Sequence, residues 1–330
     1  MGLFNILKRI VGKDKSAPKA LEEQSASNVN VSETADSETQ LDPIYLEPLS
    51  NGLLPGEVLL IDWMDGKDTN SNIPDYFSDR YGLDPETSVA KLREEAFMTE
   101  AGLVESLQSF KVPELKDILR QNELKVSGKK QELIDRLMDY LDEAVIHNYI
   151  QQKPFKRTSK GQQALDDYDY IVSAHKNESK DGIYNMGEAI KYVSQLDYQP
   201  SNSEISWALF QNALVTHYQN QDFRSYRNVY HHMAQQLQRE EDFENALLYY
   251  LEIFIIDLSG LENGDGLESP ERVQIVPGII NNIENLYAKL DLDKESIQDL
   301  FGQAWENVSS SLPFHSLDQE ACFQRLLATL

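Results

Sequence analysis

The sequence is poor in cysteine and in basic residues, and it lacks any long hydrophobic run. Cys322 is the single cysteine among 330 residues, so an internal disulfide framework or a cysteine-based zinc site is excluded, and a reducing cytoplasm is expected. The longest mainly apolar run, Leu247–Leu258, contains two acidic residues and is shorter than the roughly 20 residues that span a bilayer. Met1–Val11 is too short for a secretory signal. We therefore predict a cytoplasmic protein without a membrane-spanning segment.

Familiar catalytic and cofactor-binding motifs are also missing. The six histidines show no HExxH spacing, no GxSxG is present, and Gly128-Lys129 lacks the upstream glycine of a P-loop. The loop Gly260–Gly266 lacks the ligand ladder of a calcium site. The acidic runs 240–242 and 291–293 are interpreted as solvated helix surface. The sequence thus predicts a non-enzymatic protein with no cofactor and no metal site.

Basic residues are scarce, and their distribution is uneven. The chain has 30 basic and 55 acidic residues and a net charge of −25. Residues 181–330 hold 8 basic and 23 acidic residues, a difference of −15, whereas residues 55–180 hold 17 and 24. A nucleic-acid surface requires a basic patch. Such a patch is available only in the middle block, and the last block would repel DNA.

The N-terminus has an amphipathic, basic pattern. On a helical wheel the apolar residues of GLFNILKRIVG (2–12) share one arc, with the basic residues on the other side. We predict a helix over 1–13 that contacts a membrane surface or a partner groove. The residues expected to make this contact are Leu3, Phe4, Leu7, Lys8, Arg9 and Ile10. The alternative is a frayed terminus, or a helix that packs on its own protein. Residues 14–54, rich in Ser, Glu and Asn, are predicted to be a disordered linker.

The middle block, 55–180, begins with Glu57–Trp63, a β-like or short buried apolar run, and Asp84-Pro85 indicates a helix start. Phe155–Asp169 (FKRTSKGQQALDDYD) resembles the strand–turn–helix edge of winged-helix proteins. A secondary basic patch is predicted at Lys153, Lys156, Arg157 and Lys160. The alternative is a surface loop with solvated lysines.

The most informative stretch is KVPELKDILRQNELKVSGKKQELIDRLMDYL, residues 111–141. Its spacing predicts two short amphipathic helices that pack through Leu115, Ile118 and Leu119 against Leu133, Ile134 and Leu137, with Leu124 and Val126 between them. Ser127 is a predicted N-cap, Gly128 allows a close backbone approach, and the following lysines lie at a helix start that favours anions. The candidate DNA-binding residues are Lys116, Arg120, Lys125, Ser127, Gly128, Lys129 and Lys130.

Residues 109–143 resemble a SAP motif, a helix–extended loop–helix module of DNA-associated proteins. The matching positions are Val112, Leu115, Lys116, Leu119, Leu124, Val126, Ser127, Gly128, Lys129, Lys130, Leu133, Arg136 and Leu137. Glu123 departs from the family, which usually has Gly there; Asn122 tolerates a left-handed conformation better and is an alternative helix end. The resemblance implies weak binding to double-stranded DNA with little sequence specificity. The alternative is a helical pair used only for structure or for protein contacts.

Residues 181–330 are predicted to be an acidic, all-helical domain. The helices are expected at 205–218, 226–238, 243–258, 279–290, 294–308 and 314–330. Asp242–Leu258 is similar to the second helix of a tetratricopeptide unit. Leu237, in the helix before it, and Ile253 depart from the pattern of that repeat.

The predicted fold class is therefore mainly α, with a SAP module inside a small α(+β) domain and a tetratricopeptide-like bundle behind it. The layout is similar to SAP-containing proteins of Gram-positive bacteria and their phages. This similarity implies a DNA-associated adaptor whose C-terminal domain binds an unknown protein. The alternative is a peripheral membrane scaffold that is anchored by residues 2–12.

Overall fold

The computed structural model describes residues 41–150, 153–261, 273, 275–310, 312 and 318–330. These residues are mainly helical, as predicted, and include a two-stranded antiparallel sheet. They fall into two compact units, 41–178 with 185–202 and 179–184 with 203–330. The predicted division near 180 therefore differs from the structure, which places 185–202 with the first unit. The predicted helix 1–13 and residues 14–40 of the predicted linker lie outside the described residues.

The first unit begins with a short 3-10 helix, Pro43–Leu46, and ten α-helices and two strands follow. They are α1 (Pro55–Met64), α2 (Tyr76–Asp79), α3 (Pro85–Glu94), β1 (Met98–Glu100), α4 (Leu103–Ser109), α5 (Val112–Gln121), α6 (Lys130–Tyr140), α7 (Glu143–Tyr149), β2 (Phe155–Arg157), α8 (Ser159–Asp167), α9 (Asp169–Lys176) and α10 (Met186–Val193). Helix α1 packs against α3, α8, α9 and β2.

Two predictions for the start of this unit are corrected by the structure. The β-like run Glu57–Trp63 is helical and lies in α1, where Val58, Leu59 and Ile61 are buried. Neighbouring elements cover several sides of α1, so its apolar residues do not form a stripe of helical period. Residues 41–54, predicted to end the linker, are also ordered, because Tyr45 is buried and Asp42 forms an ion pair with Lys191 at 2.9 Å.

The pairing of β1 with β2 brings α8 close to Phe97, the residue that precedes β1. Met98 pairs with Arg157 and Glu100 with Phe155. The predicted strand–turn–helix at Phe155–Asp169 is confirmed locally as β2 followed by α8. A Cβ atom at Gly161 would lie 2.2 Å from the Phe97 carbonyl oxygen. Only glycine therefore permits this approach.

The second unit is built around one helix that is largely buried. Its elements are α11 (Asn202–Gln219), α12 (Phe223–Arg239), α13 (Phe243–Ser259), α14 (Pro277–Lys289), α15 (Lys294–Ser309) and α16 (Gln319–Leu327). Helix α13 packs against α12, α14 and α15. The helices predicted for this block are present, and the last one is shorter than expected.

Two successive turns of this unit have the same construction. Gln221 and Glu241 each take a left-handed φ, of 58° and 60°. Each is followed by an aspartate, Asp222 or Asp242, whose side chain caps the next helix. The turns thus repeat at an interval of 20 residues, and a tetratricopeptide-like arrangement stays a prediction.

None of the described helices is long and apolar enough to cross a membrane. The described His, Cys, Asp and Glu residues form no group of three or more that would hold a metal ion.

Candidate nucleic-acid interface

The predicted SAP core is confirmed, and it extends beyond the two helices of the motif. The predicted residues of α5 and α6 are buried together, and Leu124 and Val126 pack against them. Leu107 of α4, Ile146 of α7 and Ile150, the C-cap of α7, complete the cluster. Four helices therefore hold the loop between α5 and α6, which makes its position well defined.

The loop begins with a left-handed residue at Glu123, whose φ is 57°. The alternative, that Asn122 takes this conformation, is wrong, because Asn122 has a φ of −103°. The Asn122 side chain donates instead to the Ile118 carbonyl at 2.8 Å and to the Tyr149 hydroxyl at 2.9 Å. A left-handed non-glycine residue costs roughly 1–2 kcal/mol, so the module retains strain at the place where the family usually has glycine.

The loop ends at Lys129, which is the N-cap of α6. The prediction that Ser127 caps the helix is wrong, since the chain enters the helix two residues later. The Lys129 amide donates to the Glu132 carboxylate at 3.1 Å, and this carboxylate would lie 2.5 Å from a Cβ atom at Gly128. With a φ of 138°, Gly128 also has a backbone conformation that favours glycine.

Glu132 changes what the start of α6 offers to an anion. Acidic groups are favourable at a helix N-terminus, and the Glu132 carboxylate already accepts the Lys129 amide. A phosphate would have to displace this carboxylate to reach that amide. The lysine side chains are therefore the better phosphate contacts at this end of the loop.

Arg136 of α6 holds the backbone in the middle of the loop. Its Nη1 donates to the Lys125 carbonyl at 2.6 Å and to the Ser127 carbonyl at 3.0 Å. These bonds tie α6 to the loop and draw two carbonyl oxygens toward a cation. The loop therefore keeps one backbone position while its lysine side chains face solvent.

The predicted DNA-binding cations differ in whether they are available. Lys125 and Lys129 are exposed, Lys116 is partly buried, and none of the three ammonium groups has a partner among the described residues. Arg120 forms an ion pair with Asp117. The Lys130 ammonium donates to the Gln108 carbonyl at 2.5 Å. The predicted side chains available to a phosphate are thus Lys125 on the loop, Lys129 at the end of the loop and Lys116 on α5.

Each cation of the secondary basic patch contacts an acidic group or a carbonyl. Lys156 pairs with Glu105 at 2.6 Å, Arg157 with Asp65 at 2.9 Å and Lys153 with Glu100 at 4.0 Å. Lys160 donates to the Glu95 carbonyl at 2.8 Å and lies 3.8 Å from the centre of the Phe97 ring. The hydrogen bond from Lys156 lowers the pKa of the Glu105 carboxyl. The patch is therefore largely neutralised by its own surroundings.

Comparison with protein families identifies the module. Residues 106–142 match the model of the SAP domain. The chain carries a SAP domain. The match covers a small part of the chain, and no curated protein matches the chain significantly. A SAP domain points to nucleic-acid binding in general, and the available candidate cations of this SAP domain lie on the loop between α5 and α6, at the end of that loop and at Lys116 of α5.

Two residues of the site were missed as functional candidates from the sequence. Arg136 was matched as a family position only, and Gln108 lies before the predicted motif. The signal for Arg136 was its place on α6, two turns from the loop exit, where a long side chain can reach back to the loop. Nothing in the sequence indicates that the Gln108 carbonyl accepts Lys130.

Proposed function

We propose that this chain is a non-enzymatic, DNA-associated adaptor. Its SAP domain binds double-stranded DNA weakly and with little sequence specificity, and its C-terminal unit binds a protein partner. The observation that carries the DNA-binding part is the exposed pair Lys125 and Lys129, whose ammonium groups have no partner in the part of the chain that the structure describes and whose loop is held by Arg136. A loop whose backbone is already held loses less conformational entropy when its side chains meet a phosphate.

Weak binding is expected from the charge of the domain. Residues 106–142 contain seven basic and seven acidic residues, so the domain has no net charge to attract DNA from a distance. Two or three lysine–phosphate contacts give a slope of log affinity against log salt of about −2 to −3. Phosphate contacts position a protein without reading the sequence, so similar affinities are expected for unrelated duplexes.

The test is a fluorescence-anisotropy titration of labelled duplex DNA with the full chain at low salt. The variant Lys125→Ala/Lys129→Ala removes two available cations and should weaken binding at least ten-fold. The matched control Lys153→Ala/Lys156→Ala removes two cations that are already paired and should change affinity less than three-fold. Equal losses in both variants, or no binding by the unaltered chain, would refute DNA binding through this loop.

The adaptor part of the proposal is supported by the composition of the second unit. Residues 179–184 and 203–330 of this unit contain 21 acidic and 8 basic residues, a net charge of −13, which disfavours DNA, so this unit is assigned to protein contacts. The test is affinity capture from native host cells with nuclease treatment. Proteins retained after the DNA is digested support an adaptor, and loss of all partners with the DNA refutes it.

A further inference from the structure

The two helices of the SAP motif begin in the same way. Lys111 is the N-cap residue of α5, and Lys129 is the N-cap residue of α6. In each case a glutamate three residues later accepts the N-cap amide, Glu114 at 2.6 Å and Glu132 at 3.1 Å. Each of these contacts joins a backbone amide to a glutamate carboxylate. The ammonium groups of the two lysines take no part in them and are left for other contacts.

A contact of Lys130 shows that both helix starts lie at one end of the module. Its ammonium, in the first turn of α6, donates to the Gln108 carbonyl at 2.5 Å. Gln108 lies in the last turn of α4, three residues before Lys111. A lysine side chain is about 6 Å long from Cα to Nζ, so the start of α6 lies close to the segment that leads into α5. We call this end of the module, residues 108–113 and 125–131, the entry end.

The entry end is basic. It contains four lysines and no acidic residue. Lys111 is exposed, as Lys125 and Lys129 are, and its ammonium has no partner among the described residues. The acidic groups in the first turns of the two helices, Glu114 and Glu132, each accept a backbone amide. Lys111 is therefore as available to a phosphate as the two lysines of the loop.

The opposite end of α6 is acidic. Residues 135–143 contain four acidic residues, all of them exposed, and one basic residue, Arg136. The Arg136 guanidinium is already engaged by the loop carbonyls. Helix α6 has 11 residues and is therefore about 16 Å long, which exceeds the screening length of about 8 Å at physiological salt. A phosphate backbone is thus attracted to the entry end and repelled at the other end.

We propose that duplex DNA lies across the entry end and that Lys111 is a further phosphate contact, beside Lys125 and Lys129. The inference rests on the DNA binding proposed above, and it adds one contact residue and the orientation of the duplex. Helices α5 and α6 pack against each other, and packed helices lie about 8–10 Å apart. Each DNA strand carries a phosphate for about every 3.4 Å of the duplex axis, so lysines at the starts of both helices can reach one duplex. A duplex that lay along α6 would instead pass the acidic end.

The test is a set of anisotropy titrations of labelled duplex DNA with the full chain at several salt concentrations. Lys111→Ala should weaken binding about three- to ten-fold at low salt and reduce the slope of log affinity against log salt by about 0.9, as loss of one phosphate contact does. Lys111→Arg keeps the charge and should keep the slope. Because Glu114 still accepts the amide of residue 111, the thermal unfolding temperature of Lys111→Ala should equal that of the unaltered protein.

Two matched controls separate a local contact from a general effect of charge. Lys180 is an exposed lysine of the second unit, and Lys180→Ala should leave the salt slope unchanged. Asp139→Asn/Asp142→Asn neutralises two groups at the acidic end of α6. At 0.15 M salt, where charges more than about 8 Å away are largely screened, this variant should bind DNA within two-fold of the unaltered protein.

Three outcomes would overturn the inference. If Lys111→Ala binds DNA with unchanged affinity and slope while Lys125→Ala/Lys129→Ala binds more weakly, Lys111 is not a contact and the proposed function still stands. If Asp139→Asn/Asp142→Asn binds about ten-fold more tightly, the duplex lies along α6. If the unaltered chain does not bind duplex DNA, both the inference and the DNA-binding part of the proposed function fail.

Discussion

Arg136 offers the sharpest test of how the SAP loop works. The substitution Arg136→Gln shortens the side chain and removes the cation that holds the carbonyls of Lys125 and Ser127. We expect the loop to lose its fixed backbone while the available lysines remain in the sequence. Arg136 is therefore assigned a positioning role, and DNA affinity should fall although no phosphate contact is removed.

The magnitude follows from the two hydrogen bonds. A hydrogen bond to a charged group contributes about 1.5–3 kcal/mol when it is buried, and Arg136 is only partly buried. The pair should thus contribute about 1–2 kcal/mol to the free energy of unfolding of the module. If the loop must be ordered again on binding, a similar cost appears in the DNA affinity, which corresponds to a loss of roughly ten-fold.

The assay combines thermal unfolding with DNA titrations at several salt concentrations. Arg136→Gln should weaken binding while the slope of log affinity against log salt stays unchanged. Lys129→Ala, which removes a phosphate contact, should reduce that slope by about 0.9. The matched control Arg120→Gln removes the same charge from an exposed ion pair with Asp117 and should cost less than about 0.5 kcal/mol of stability.

Two results would refute this reasoning. A salt slope that falls by about one in Arg136→Gln would show that the guanidinium contacts a phosphate directly. DNA affinity that stays unchanged in Arg136→Gln, despite a lower unfolding temperature, would show that the loop needs no support to bind. The first result would move Arg136 into the contact surface, and the second would confine its role to folding.

The remaining predictions concern stability. Glu123→Gly should raise the free energy of unfolding by up to about 1 kcal/mol in chemical denaturation, because glycine relieves the left-handed φ of 57°; Glu123→Ala, which keeps the strain, should not stabilise. Gly161→Ala should destabilise by about 2–4 kcal/mol, since its Cβ would meet the Phe97 carbonyl at 2.2 Å, whereas Gly278→Ala has open space and should be neutral in the same assay. Burial lowers the pKa of His231 to about 4, so the second unit should lose stability as pH falls from about 6.5 to about 4, by roughly 1–3 kcal/mol; thermal unfolding across this range should show a shallower pH dependence in His231→Gln, and an unchanged dependence would contradict the assignment.

Sequence patterns predicted the C-terminal helices well because local signals agree there. Asp222, Asp242 and Asp293 each cap a helix through their side chains, and apolar residues follow each cap at helical spacing. The core of the SAP domain was predictable from the spacing of its apolar residues, although its predicted cap, Ser127, was wrong. In contrast, α1 is covered by other elements on several sides. Its apolar residues therefore do not recur at the helical period, and their spacing does not distinguish a helix from a strand.

The interface was less predictable, because availability of a cation depends on tertiary partners. Lys130 follows Lys129 in the sequence and looks equivalent to it, yet its ammonium reaches the Gln108 carbonyl. Lys156 lies in a run of basic residues, yet it pairs with Glu105, which is 51 positions away. A count of basic residues along the chain includes Lys130 and Lys156. A phosphate group would have to compete with the internal acceptors that these two side chains already contact.

The pairing of these cations bears directly on how the proposed adaptor would act. Six of the nine predicted DNA-contacting cations are held internally, so the available contacts are few, and few phosphate contacts give weak, salt-sensitive binding. A weak contact with DNA becomes effective when the protein is already held near DNA. Tethering then makes DNA binding an intramolecular step with a high effective concentration. The acidic second unit cannot supply that tether by charge, so a partner bound there would have to supply it. In the proposed function, the SAP domain would orient the complex on DNA, and a partner of the second unit would determine where the complex forms.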